Sequence, residues 1–447
     1  MDGRATIVDA GESISFAIGF IAPNTSAQIQ NFTEIAPLFS ITESDNNTFL
    51  GGEIVFSTPI DLQQLQNLGI VGQETGTVTP NDGELSISLL LEKSSDFQFT
   101  VDTNLQSFSS TNRGANSDSN QMFIPTGDGD YNYNITTSDG YSATGLTGDH
   151  LITFPSGAGV HDVFITGIFP AMNFNNEGDK LRMTKINNFG IYGLTSISQK
   201  NAFYGCSNMV IPSKNIGSFG DVKDFSDAWR DCSSLTSMPQ IDTSSATNLT
   251  STWLNCSSLT QFPLIDTNNV INYTSTWTNC ASLTAFPLIN TSKGTLFLNT
   301  WNDCSSLTSF PLINTSSGVN FTNCWFDCID LEEFPLIDMG SAEILIQTWR
   351  NCESLTLFPL VNTGNVTAFN SAWKDCGALD TFPLINTKKG INFTNTWINC
   401  ANLITFPLIV TSSAENLTQT WKNCQRLVTF PLIDTSNVTN LNSTWFN

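Results

Sequence analysis

The chain has 447 residues, of which 40% are hydrophobic. This is enough for roughly two to four domains with apolar cores. Only 13% of the residues are charged, yet the net charge is −23. Such acidity excludes nucleic acid and anionic membrane surfaces as partners, because both are negatively charged. Apolar runs are shorter than the about 18 residues of a spanning helix, so no membrane insertion is predicted. The first residues also lack the pattern of a signal peptide.

Residues 1–110 predict an N-terminal β domain. Apolar and polar residues alternate in several stretches, one of which follows a Pro-Asn-Asp-Gly turn sequence. The predicted strands cover 14–20, 85–89 and 97–101. One helix is predicted over 59–68, where Pro suits the first turn and three leucines share a face. No catalytic motif lies in this domain, and we expect it to serve in mounting or assembly.

A second, smaller β domain is predicted over 122–187, after a linker over 111–121. The linker is rich in Ser, Asn, Thr and Gly and poor in apolar residues. In the domain, alternation predicts one strand that includes Tyr133 and Ile135, and another over 160–168.

Acidic residues of this domain have, in part, the spacing of a calcium-binding loop. The candidate ligands are Asp128, Asp130, Asn132 and Asp139. However, Tyr133 stands where such a loop needs Gly for its sharp turn, and the alternation around it favours a strand. We therefore predict no metal site here, and no cofactor for the chain.

The last half of the chain is built on a strict period. All ten tryptophans follow one another at 24-residue intervals, from Trp229 to Trp445. Cysteine stands three residues after the tryptophan, leucine six after it and proline ten after it. Several apolar columns with one period are buried when repeated units stack, each residue over its copy in the next unit. The predicted fold class is therefore mainly β, with a C-terminal leucine-rich-repeat solenoid of about nine to ten coils over 229–447.

Residues 188–228 predict a capping coil that leads into the repeats. Phe203 and Cys206 have the spacing of the repeat's Trp and Cys, and Met209 stands where the repeat has Leu. The distance from Phe203 to Trp229 is 26 residues rather than 24. An imperfect first coil is typical of a solenoid, because it must bury only one of its sides.

Each repeat position has an expected side. We expect Pro263 and Ile265 to point outward, beside a variable residue two before each proline. The expected inward residues form a structural spine, which in the second repeat is Trp253, Cys256, Leu259, Phe262 and Leu264. The variable residues are the candidate display surface: Gln261, Ala285, Ser309, Glu333, Leu357, Thr381, Thr405 and Thr429.

The repeat sequence also predicts the backbone conformation of each coil. Proline has no N–H for a ladder, so stacked prolines predict strands of three or four residues at most. The polar segment before each tryptophan is long enough for one or two turns of helix on the opposite face. We expect the cysteines to be buried and reduced, and the tryptophans to be core residues rather than a platform for sugars. The Asp or Asn after each Pro-Leu-Ile is expected to bond the following turn.

The repeat sequence carries a resemblance to a known family. The pattern Cys-Ser-Ser-Leu-Thr-x-Phe-Pro-Leu-Ile-Asp-Thr over 256–267, with Asp-Thr-Ser-Asn-Val-Thr-Asn-Leu over 434–441, resembles the BspA-like leucine-rich-repeat surface proteins. The segments 174–182 and 202–209 look like the residues that precede the repeats in that family. Residues 131–170 resemble the PKD-like β-sandwich that often stands before them.

The resemblance implies an architecture and a class of function. Members of the family are bacterial surface adhesins or occur in phage structural proteins, and no catalytic residues come with them. Where the family usually has Trp-Gly-Asp-Gly, this chain has Thr-Ser-Asp-Gly at 137–140. We therefore expect a non-enzymatic structural or adhesion protein. A phage virion fibre, spike or capsid-decoration protein, displaying a rigid solenoid for host or surface binding, fits best.

Two alternatives stay open at the level of sequence. One is a bacterial cell-surface adhesin whose signal peptide is missing. The other, more remote, is a glycan-acting enzyme with paired carboxylates. The only histidines, His150 and His161, have no spaced nucleophile or metal partner, so no catalytic residue is predicted.

The expected partners follow from this interpretation. Other virion or surface proteins would bind through 1–110 and the last coil, and a host surface glycan or protein would bind the display surface. A homo-oligomer within an assembly is expected. The printed sequence ends at Asn447, one residue before the next expected Cys. Either the chain continues, or another protein covers the open end of the solenoid.

Overall fold

The chain divides into two compact units, Met1–Ser95 and Asp96–Asn447. The computed structural model describes 3–8, 51–56, 79–81, 84–90, 96–107, 117–190, 192–193, 195–212 and 219–445. These residues are mainly strands and turns, without an α-helix, so a β protein is confirmed for this part of the chain. The strand predicted over 14–20 and the helix predicted over 59–68 lie outside the described residues.

The described residues of the first unit form a four-stranded sheet. Its strands are β1 (Gly3–Val8), β2 (Gly51–Phe56), β3 (Thr79–Asn81) and β4 (Glu84–Leu90). They lie in the order β2-β1-β4-β3, in which only β1 and β4 are parallel. Asn81 pairs with Glu84, so β3 and β4 form the hairpin that the turn sequence between them predicts.

The second unit begins with an antiparallel five-stranded sheet in the order β11-β5-β10-β7-β8. Its strands are β5 (Phe97–Asp102), β7 (Asn132–Thr137), β8 (Ser142–Leu146), β10 (Val160–Ile168) and β11 (Met183–Asn188). Alternate residues of β5, β7 and β10 are buried, as their sequence pattern predicts. Because β5 lies between β10 and β11, its assignment to an N-terminal domain over 1–110 is wrong.

A two-stranded sheet accompanies it, formed by β6 (Gln121–Ile124) and β9 (His150–Thr153). A buried arginine anchors the chain before β6: Arg182 donates to the carbonyls of Leu105 and Asp118 and lies 3.6 Å from Asp179. Asp179 in turn accepts from the hydroxyl of Ser117 at 2.6 Å. The buried guanidinium of Arg182 needs hydrogen-bond acceptors, and carbonyls of the predicted linker over 111–121 supply them. The described end of that linker is therefore bound to the domain.

The repeat region has no regular strands among the described residues, only isolated parallel bridges between residues 24 apart. Each repeat contributes one bridge before its tryptophan, such as Asn248 with Asn272. Some contribute another at the residue two before proline, such as Glu333 with Leu357. The short, sparsely bonded ladder that the stacked prolines predict is confirmed.

The segment around each tryptophan is a chain of turns, and the predicted helix is wrong. Trp253 N–H donates to the carbonyl of Thr276 in the next repeat, at 2.9 Å, whereas Thr252 N–H donates to Leu249, three residues back. This alternation needs a left-handed residue two before and two after each tryptophan; Ser251 has φ 54° and Asn255 has φ 63°. Ser, Asn, Asp and Gln fill these positions in the repeats, and small polar residues tolerate that conformation best.

The expected sides of Leu264 and Ile265 are reversed in the structure. Leu264 is 59% exposed, whereas Phe262 and Ile265 are buried. A three-residue turn explains the reversal: in the following repeat Ile289 N–H donates to the carbonyl of Pro287 at 3.0 Å, which places the leucine at the corner. Leu264 therefore does not belong to the spine, which instead contains Trp253, Cys256, Leu259, Phe262 and Ile265.

One hydrophobic core runs through the second unit, from Phe97 to Ile433. Phe203 joins the sheets to the repeats, since its ring lies 5.5 Å from that of Tyr192 and 6.3 Å from that of Trp229. The carbonyl of Phe203 accepts the thiol of Cys232, as tryptophan carbonyls do in later repeats. The prediction that Phe203 takes the place of tryptophan before the first full repeat is confirmed.

Candidate interaction surface

The eight variable residues of the candidate display surface are all exposed. Parallel bridges join three of the seven steps of their row, for instance from Ser309 to Glu333 and from Glu333 to Leu357. They are separated in the sequence by 24 residues and in space by one repeat. Seven of the eight are uncharged and only Glu333 carries a charge. The side chains of this row thus differ in size and polarity, although each stands at the same position of its repeat.

Aromatic rings fix the spacing under this row. Phe262 lies edge-on between two tryptophans, with ring centroids 4.7 Å from Trp253 and 5.3 Å from Trp277. Neighbouring phenylalanines such as Phe262 and Phe286 stack at 5.9 Å with 9° between their planes. Such offset and edge-to-face contacts add about 0.5–1.5 kcal/mol per pair beyond area burial. The variable residues therefore stand beside closely packed rings that are almost parallel from one repeat to the next.

The tryptophan column is core, as predicted. The nine tryptophans from Trp229 to Trp421 are at most 1% exposed, and only Trp445 is open to solvent, at 45%. Successive indoles are nearly parallel, for example 5.7 Å and 7° between Trp253 and Trp277. The indole N–H groups of the nine buried tryptophans have no hydrogen-bond acceptor among the described residues. A ring that is covered on both faces cannot stack on a sugar.

The cysteines form a buried column of free thiols, as predicted. Each thiol in the column donates backward; Cys256 Sγ lies 3.2 Å from the carbonyl of Trp229 and Cys280 Sγ lies 3.3 Å from that of Trp253. Burial raises the pKa of these thiols well above its usual value. A protonated, covered thiol is neither a nucleophile nor a metal ligand at neutral pH, so the column is structural.

Two polar rows hold adjacent repeats in place. In the first, Asp266 accepts the N–H of Asn268 at 2.8 Å, and the Thr267 hydroxyl donates to the carbonyl of Asn290 in the next repeat at 2.6 Å. The expectation that Asp or Asn bonds the turn together with the following Thr is confirmed at such positions. In the second row, the left-handed asparagines bond across repeats, as Asn351 does to Asp327 at 2.6 Å.

The second row contains one unfavourable step. Asp303 and Asp327 occupy neighbouring places in this row, so two carboxylates stand where several other steps join a side-chain amide to an oxygen. Burial, and next the charge of Asp327, raises the pKa of Asp303. Two neighbouring carboxylates repel each other when both are ionised, so the ionisation of one of them is disfavoured.

The two histidines lie in strands β9 and β10, and both pack against or bond to neighbouring side chains. His161 is buried, stacks on Phe154 at 3.9 Å between ring centroids, and has Nδ1 3.6 Å from Asp139. Burial opposes ionisation of Asp139, but hydrogen bonds from Thr137 and Ser156 lower the pKa of its carboxyl to about 2. Ser156 donates its hydroxyl to Asp139 rather than to His161, so the imidazole does not activate it as a base activates a nucleophile.

The other histidine is also held by a neighbour. His150 Nε2 lies 2.6 Å from the hydroxyl of Tyr141, and burial lowers the pKa of the imidazole. The residues with calcium-ligand spacing are used differently: Asn132 begins β7, and Asp139 belongs to the Ser156 contact. No group of three or more His, Cys, Asp or Glu side chains in the described part of the chain could hold a metal ion.

The same part of the chain contains no helix long and apolar enough to span a membrane. Comparison of the sequence with protein-family models and with curated proteins found no match.

Proposed function

We propose that residues 229–447 form a leucine-rich-repeat solenoid of nine to ten 24-residue coils, and that the preceding sheets form a PKD/Ig-like β-sandwich. Hydrogen bonds such as that from Trp253 to Thr276, repeated every 24 residues, support the solenoid. Parallel stacking of the tryptophans supports it as well. In such an array each unit contacts only its neighbours, so the whole is a stiff extended support.

The protein that carries this support is, in our proposal, a non-enzymatic structural or adhesion protein. One observation carries the proposal: the repeating tryptophan, cysteine, leucine and phenylalanine columns are buried, and the eight positions that vary lie exposed in one row. A repetitive scaffold with a varied outer row is the arrangement by which repeat proteins bind extended partners. The row is neutral except at Glu333, which suits a polar, uncharged ligand such as a surface glycan or an uncharged protein segment.

The resemblance to the BspA-like proteins supports a place on a virion, as a fibre, spike or capsid-decoration protein. Gold-labelled antibody against the chain should then decorate purified virus particles in the electron microscope. Labelling of bacterial envelopes in uninfected cells, with particles unlabelled, would favour the alternative of a cell-surface adhesin.

The role of the variable row is tested by replacing its residues with serine. We expect the purified chain to bind the host surface and the substituted chain to lose at least tenfold in affinity. The control exchanges Asp for Asn, or Asn for Asp, at four exposed polar positions of the same repeats, 266, 290, 314 and 338, which leaves the net charge unchanged. Equal binding by the substituted and native chains would overturn the display surface.

A further inference from the structure

The corner leucines form an apolar ridge that the variable row does not explain. Seven of them, one per repeat, are between 58% and 63% exposed, and an eighth, Leu432, is 96% exposed. The seven are Leu264, Leu288, Leu312, Leu336, Leu360, Leu384 and Leu408. Most of these leucines stand at the corner of a turn in which the residue two after proline donates its N–H to the proline carbonyl. In one repeat Ile337 N lies 2.9 Å from Pro335 O, and Leu336 is the corner. The leucine ridge is therefore a built feature of eight successive repeats rather than a set of scattered surface residues.

We propose that the leucine ridge is the interface between two copies of this chain. Each leucine exposes on the order of 100 Å². Eight in a row then present roughly 800–900 Å², against the about 300–600 Å² of the largest apolar patch on a typical monomer. A standard protein–protein interface buries about 800 Å² on each partner. The ridge thus supplies, from leucine alone, the area that a stable dimer needs.

The shape of the ridge favours a second copy over another partner. Neighbouring tryptophans of the same repeats are inclined by only 2° to 9° with ring centroids 5.2–5.7 Å apart, so successive repeats, and with them the leucines, follow one another in an almost straight and even row. Evenly spaced leucine side chains pack best between leucine side chains with the same spacing, and a second copy of the chain presents such a row. Two ridges related by a two-fold axis interdigitate along their whole length, and the contact is closed.

Charge does not oppose this contact, although the chain carries −23. The residues before each leucine are prolines, and the neighbouring variable row has one charged member, Glu333. The acidic side chains nearest the ridge, such as Asp266 and Asp338, lie two residues beyond it and are exposed. They form the polar rim that surrounds the apolar centre of typical interfaces.

The mass of the full chain in solution tests the proposal. Light scattering after gel filtration at about 20 μM works above the dissociation constants, at most about 0.1 μM, of well-characterised interfaces of this size. We expect twice the monomer mass of 48.8 kDa. The variant Leu312→Glu/Leu336→Glu/Leu360→Glu should run at the monomer mass. The control Ile271→Glu/Leu296→Glu/Ile391→Glu changes exposed apolar residues at other repeat positions and should remain a dimer. A monomeric native chain, or a dimeric ridge variant, would overturn the proposal.

A milder variant keeps the test decisive if the glutamates disturb folding. The native thiols are buried, so an exposed cysteine introduced on the ridge is the group that oxidises. The double variant Leu336→Cys/Leu360→Cys should form a disulfide-linked dimer, because these leucines stand at the middle of the ridge in either orientation of the copies. The single variant Ile391→Cys should stay monomeric on a non-reducing gel. Linkage of Ile391→Cys alone, or of neither variant, would contradict the interface.

Discussion

The role of the left-handed residue two after each tryptophan can be tested at Asn351. This residue has φ 62°, and its side-chain amide donates to Asp327 at 2.6 Å. Alanine at this place loses the hydrogen bond and adopts a left-handed conformation, which costs about 1–2 kcal/mol. The lost bond to a carboxylate, here partly exposed, costs about 1 kcal/mol. Asn351→Ala should therefore lower the free energy of unfolding by about 2–3 kcal/mol.

Glycine separates the two contributions. Asn351→Gly also loses the hydrogen bond but accepts the left-handed conformation, so it should cost only about 1 kcal/mol. The assay is urea unfolding of the full chain, followed by tryptophan fluorescence, with Glu353→Ala as an exposed control within about 0.5 kcal/mol of the native chain. Equal losses for Asn351→Ala and Asn351→Gly would show that the backbone conformation is not what the asparagine supplies.

Three further outcomes follow from burial and charge. At sub-micromolar chain concentration, Ile337→Ala should cost about 2–5 kcal/mol and Leu336→Ala less than about 1 kcal/mol, and equal costs would refute the corner turn. A thiol reagent should label almost none of the 11 cysteines in the folded chain and all of them in urea, because burial covers the thiols and raises their pKa; fast labelling of the native chain would contradict this. Because the folded-state pKa of Asp303 is raised, its favourable contribution is present at low pH and is lost as the pH rises through that pKa. Asp303→Asn should therefore stabilise the chain by about 0.5 kcal/mol more at pH 7 than at pH 3, and a pH-independent difference would exclude repulsion from Asp327.

The buried columns of Trp, Cys and Leu could be predicted from the sequence, because their burial follows from the 24-residue spacing alone. Trp253, Cys256 and Leu259 recur with one spacing, and only stacking buries all three. The sides of Leu264 and Ile265 could not be predicted, since both are apolar and the alternation of a strand assigns them wrongly. The three-residue turn after the proline, seen in the next repeat between Ile289 and Pro287, decides which of the two is buried, and the alternation of apolar residues does not indicate it.

The chain of turns around tryptophan was also within reach of the sequence. Residues two before and two after Trp253 are Ser251 and Asn255, and these positions hold Ser, Asn, Asp or Gln in the other repeats. Asn and Asp, which fill most of these positions, adopt left-handed conformations readily and are poor residues for a helix interior. By contrast, the pairing of β5 with β10 joins residues about 60 apart, and no local pattern indicates it. The anchoring of 117–121 by Arg182 is a long-range contact of the same kind.

Deletion of one repeat tests the central claim, that 24 residues are the structural unit under the exposed row. Removal of 325–348 from the full chain leaves each column continuous, because Cys324 is then followed by Trp349 in the place of Trp325. This chain should keep the blue-shifted tryptophan emission of a buried column and a single cooperative unfolding transition. Removal of only 325–336 puts the columns out of step and should expose the tryptophans. If the half-repeat deletion folds as well as the whole-repeat deletion, the stack of 24-residue units is wrong.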